Sequence, residues 1–100
     1  MVRFFLFRTS PDLSLGKYPK GSVAFVSCCI LDSNHDAAID KAGRIIHDQG
    51  WHIQSLLEDY TLDRQDYADK PEGLEYYEQA LIDGEVVVFF HSEELEAPPQ

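Results

Sequence analysis

Hydrophobic and polar residues alternate with different periods along this chain, and each change of period marks an element. Residues 3–8 (RFFLFR) form a short aromatic run bounded by charges. Residues 21–31 (GSVAFVSCCIL) are β-branched, aromatic or small almost throughout, so both stretches predict strands. From Asn34 to Gln49 the pattern changes to a helical one. At 100° per residue Ala38, Ile39, Ala42, Ile45 and Ile46 share an arc of roughly 120°, the width of a core-facing stripe. Asp40, Arg44 and Asp48 follow one another at i, i+4 on the outer face, and Gly50 supplies a left-handed stop. Residues 51–62 (WHIQSLLEDYTL) alternate imperfectly, which predicts a strand near a sheet edge. Pro71 stands where the first position of a helix favours proline, and the helix runs to Asp83 before Gly84. Leu74, Tyr77, Ala80 and Leu81 form its apolar face. Residues 85–91 (EVVVFFH) make the purest strand pattern, and the acidic, proline-ended 93–100 is expected to be a disordered tail.

The resulting order is β-β-α-β-α-β within one domain over 1–92. It predicts an α+β fold, a two-layer sandwich in which two helices cover one mixed sheet of four to five strands. The arrangement resembles ferredoxin-like sandwiches, with residues 61–67 available for a fifth strand. That resemblance concerns fold and implies no activity. The strands at 3–8, 21–31 and 85–91 are apolar on both alternating sets of positions, so both sheet faces need shielding. Unless the two helices divide between the faces, one face stays open, and a homodimer packed sheet to sheet would close it.

Charge narrows the choice of partner. The formal net charge is −10, with 18 acidic residues against 8 lysines and arginines. Such a balance opposes binding to nucleic acid or anionic lipid. The apolar run in MVRFFLF is too short for a signal sequence, and no stretch approaches a membrane span, so a soluble, cytoplasmic protein is expected. The one cationic region is the long connection from Thr9 to Lys20. Its Lys17, Tyr18 and Lys20 are candidate ligand contacts, because long loops on a rigid sheet are where binding groups are displayed.

Candidate chemistry concentrates in VSCCILDSNHD, residues 26–36. Cys28 and Cys29 point to opposite sides of a strand and have the wrong spacing for zinc, so they read as buried core thiols. Asp32, Ser33 or Asn34 can cap the following helix, with Asp36 in its first turn. A second reading uses His35 and His91. If the second and last strands are parallel, Asp32, His35, Asp36 and His91 meet along one sheet edge as an acid–base or ligand site. No glycine-rich phosphate loop, nucleophile elbow or zinc motif is present, and no cofactor or metal is called for. Trp51, just after a helix stop, and Tyr76, on the polar face of its helix, are interface candidates.

Three functions fit these features. The first is a small acidic binding or regulatory module acting as a homodimer. The second is a small enzyme or a metal- or ligand-binding protein that uses the His35/His91 edge or a cleft under the 9–20 loop. The third is an acidic inhibitor or immunity-type protein that meets a basic partner.

Overall fold

The computed structural model describes residues 1–12, 14, 16, 21–67 and 69–92. Lys17, Tyr18, Lys20 and the 93–100 tail lie outside the described residues. The chain runs β1 (Val2–Pro11), β2 (Val23–Leu31), α1 (His35–Asp48), β3 (Trp51–Leu62), a short 3-10 helix (Arg64–Tyr67), α2 (Pro71–Asp83) and β4 (Glu85–Ser92). The class is α+β, built from a four-stranded sheet and two helices. Among the described residues no helix is long and apolar enough to cross a membrane.

The strands lie in the order β3-β1-β2-β4, and every neighbouring pair is antiparallel. The expected mixed sheet is therefore corrected to a wholly antiparallel one. Residues 64–67 form a 3-10 turn instead of part of a fifth strand. β1 is longer than its aromatic run, because 9–11 continue the pairing with the start of β3. Thr9, read from the sequence as the start of a loop, is fully buried and donates its hydroxyl to the Ala24 carbonyl at 2.9 Å. β3 does occupy an edge, and its register with β1 slips twice, so Gln54 and Leu57 stand outside the regular pairing.

Each helix takes a different face. Phe5 and Phe7 of β1 are level with Cys28 and Val26 of β2 and with Val87 and Phe89 of β4, and α1 packs on this side through Ala38, Ala42 and Ile46. Two alanines in the contact stripe let the helix lie close to the sheet. Trp51 closes one end of this core against Phe89, with ring centroids 6.1 Å apart. Burying such a side chain contributes about 1.5–3 kcal/mol, so this cluster accounts for much of the domain's cohesion. The opposite face holds Val2, Cys29 and Leu62, with Phe4, Leu31 and Val86 packed beside them, and α2 covers it through Ala80 and Tyr77. The expected two-layer, ferredoxin-like packing is thus corrected to three layers, helix on sheet on helix. Leu81, placed by period on the core face of α2, is in fact exposed.

Local signals set the helix ends. The Asn34 side chain accepts from the Ala37 amide at 2.9 Å, and Asp32 accepts from the Asn34 amide at 2.8 Å. Gly50 and Gly84 have φ of 87° and 86°, a backbone state that residues with a Cβ rarely enter, and each turns a helix directly into a strand.

Cys28 and Cys29 are free and buried on opposite faces. Burial pushes the Cys28 thiol up to about 12, helped by Cys29 and Glu85, and the Cys29 thiol up to about 11. Both are expected to alkylate at pH 8 at least ~100-fold more slowly in the native protein than in denaturant, because only the thiolate reacts. Native labelling at the denatured rate, followed by mass spectrometry, would contradict this.

Candidate functional site

The residues singled out in DSNHD serve structure first. Asp32 and Asn34 are occupied in capping. The His35 ring stands edge-on to Phe5, with centroids 5.8 Å apart. Its Nε2 lies 2.7 Å from Asp59 Oδ2 on β3, and its Nδ1 lies 3.2 Å from Asp36 Oδ1. A carboxylate at each ring nitrogen matches the doubly protonated imidazolium. Hydrogen bonding to Asp59, then to Asp36, accordingly raises the His35 pKa above its ordinary value. This contact ties the start of α1 to edge strand β3. Asp59 was not apparent from the sequence as its partner, since the two are far apart in the chain.

His91 is not part of that cluster. β4 runs antiparallel to β2, so His91 is paired with Ala24, whereas Ile30, near the β2 end that leads to His35, is paired with Glu85. The two histidines lie at opposite ends of the sheet, and the expected His35/His91 edge is overturned. Two further histidines meet each other. The rings of His47 and His52 are 5.9 Å apart, edge to face, and His52 Nε2 is 3.8 Å from Asp12 Oδ2. Hydrogen bonds from the Ser14 hydroxyl and amide hold the Asp12 carboxyl below its ordinary value, with smaller contributions from His52 and His47. Among the described residues no three His, Cys, Asp or Glu side chains are placed to hold a metal ion.

A cleft among the described residues lies on the second face. α2 reaches only part of the sheet there, because Gly84 joins it directly to the start of β4 and its first turn hangs over mid-strand. The pairing register spells out the uncovered floor. One row across the four strands reads Glu58, Leu6, Ser27, Val88, and the next reads Tyr60, Phe4, Cys29, Val86. Three strand spacings of about 4.8 Å make each row roughly 14 Å wide. Phe90 extends the floor, and Lys70, Pro71, Gly73 and Tyr76 of the α2 end form the wall. The cleft encloses about 860 Å³.

Its chemistry is mainly apolar and aromatic, with polar groups at chosen points. The Phe4 and Tyr60 rings are 5.0 Å apart. Ser27 places a hydroxyl in the middle of the floor, where the neighbouring strands supply Leu6 and Val88, and it has no hydrogen-bond partner among the described residues. The Tyr60 pKa is raised by burial and then by the Glu58 charge, so its phenol stays neutral. Tyr76, an interface candidate from the sequence, lines this cleft, whereas Trp51 belongs to the other core. The cleft residues themselves were missed, because they are scattered along strands whose sequence reads only as two-sided core. A shallower hollow of about 490 Å³ runs along the outside of α1 from Asp36 to Asp48, with a single helix for its wall. No protein-family model, curated protein or solved structure matches the chain.

The His35 contact has a pH signature. Folding raises the affinity of His35 for its proton, so the contact's stabilisation is complete below about pH 6.5, the ordinary histidine value, and is lost as pH rises through the raised folded value. Urea unfolding between pH 5 and 9 is expected to show this loss in the native sequence and a flatter profile in Asp59→Asn. Parallel profiles would show that the contact contributes nothing.

Proposed function

We propose that this chain is a small binding module whose working site is the cleft between the first turns of α2 and the second sheet face. The observation that carries the reading is a floor contributed by all four strands, apolar in bulk, with a hydroxyl at its centre that has no partner among the described residues. Ligand sites commonly enclose 300–1,000 Å³ and combine an apolar lining with a few placed polar groups, a description that suits a cleft of about 860 Å³. No activated nucleophile is in place among the described residues, since neither the Ser27 hydroxyl nor the Lys70 amine is hydrogen-bonded to a base. Cys29 lies on the floor, but its thiol is held protonated by burial. Binding, not catalysis, is therefore the activity inferred.

A homodimer is the second reading, on changed grounds. Sheet-to-sheet pairing lost its premise when α2 took the second face. What favours association now is edge strand β3, where Ile53, Leu56, Leu57 and Tyr60 are all exposed. The two register slips argue against simple strand addition there, since bulges are a usual protection of free edges. The acidic net charge also fits a basic protein partner, but it singles out no surface.

Ser27→Phe is expected to fill the cleft floor and abolish the fluorescence enhancement of Nile red, a neutral apolar probe, while leaving the melting temperature within a few degrees. Undiminished enhancement in the folded variant would place the binding surface elsewhere. Light scattering on the same samples tests association, and a mass of twice 11.4 kDa is the expected value for the paired state.

A further inference from the structure

We infer that the cleft takes a zwitterion with an apolar side chain, in chemical terms an α-amino acid, with Glu58 meeting its ammonium group and Lys70 its carboxylate. The inference rests on the cleft reading above and adds the class of ligand.

Among the described residues most of the cations are in use. Lys41 pairs with Glu85 at 3.4 Å, Arg44 with Asp40 at 3.5 Å and Arg64 with Glu78 at 3.3 Å. Arg3 donates to the carbonyls of Asp32 and Ser33, and Arg8 to the Gln54 side chain. Among the described lysines and arginines only Lys70 has neither an ion pair nor a hydrogen bond, and it stands in the cleft wall. On a chain of net charge −10, Lys70 is exposed and has no carboxylate partner among the described residues. Glu58 lines the same cleft, likewise without an ion pair among the described residues, and the two do not bridge to each other.

Opposite charges held apart on one apolar cleft restrict what can enter. A simple organic anion satisfies Lys70 but meets Glu58 and the field of an acidic protein. A simple organic cation satisfies Glu58 but is opposed by Lys70. A zwitterion matches both and carries no net charge for the field to repel. The remaining features suit its parts. Tyr60 is level with Phe4 beside Glu58, so an ammonium there also faces aromatic rings, which attract cations. Leu6 and Val88 offer an apolar bed for a side chain, and the Ser27 hydroxyl between them can donate to the ligand carboxylate or accept from its ammonium. A floor roughly 14 Å wide, from three strand spacings, holds one such molecule lengthwise.

The test uses L-phenylalanine and L-leucine as probes, with phenethylamine and 3-phenylpropanoate as analogues that each keep one charge. Binding is measured by calorimetry and located by backbone amide NMR shifts. L-Phenylalanine is expected to bind at least ~10-fold more tightly than either analogue, the effect of one matched charge in a partly enclosed site. Lys70→Gln should reduce it to the level of phenethylamine, and Glu58→Gln to that of 3-phenylpropanoate, with shifts centred on residues 27–29 and 86–88. An analogue that binds as tightly as the amino acid would overturn the zwitterion assignment and leave the cleft reading standing. Nile red bound in the cleft with neither amino acid binding would do the same. Amino-acid-induced shifts clustered on α1 would overturn both.

Discussion

The constraint on which the structure depends is the two-sided apolar character of the central strands. Phe5 and Phe7 look one way from β1, Val2, Phe4 and Leu6 the other, and the adjacent Cys28 and Cys29 of β2 repeat the division. A sheet of this kind cannot leave either face to water. With two helices available, each must serve a different face, and α1 and α2 are placed accordingly. Three layers in only 100 residues make the cover thin.

Thinness on one side produces the cleft. α1 presents small residues and lies close along its face, whereas α2 is tied by Gly84 to the start of β4 and meets the sheet mainly through Ala80 and Tyr77. Its first turns stand over the middle of the strands without filling the space beneath them. Side chains that serve the core under one half of α2 become the floor of a cavity under the other half. Phe4, Cys29 and Val86 pack against the helix and also line the opening. Structural and binding roles are therefore shared by the same residues.

Polar groups divide in a similar way. Asp32, Asn34, Asp36 and Asp59 are committed to the start of α1, and Thr9 and Arg3 to backbone carbonyls. Ser27, Glu58 and Lys70 have no such commitment among the described residues, and all three lie on the cleft.

The helices, their caps, the glycine stops, the burial of both cysteines and the edge position of β3 were legible in the sequence, because each depends on a local period or on a residue's own conformational preference. Tyr76 was noticed for the same reason, as a large ring on a polar helix face. Strand direction was not legible, since an apolar run pairs equally well in either sense, and the direction of β4 alone separates His35 from His91. The distribution of the helices, the meeting of His35 with Asp59 and of His47 with His52, and the rows that join Glu58, Leu6, Ser27 and Val88 were equally hidden. They are set by long-range register and by which face each crossover takes. Local composition determined the parts of this protein, but the site lies where four strands and the end of a helix converge, and only tertiary packing decides that.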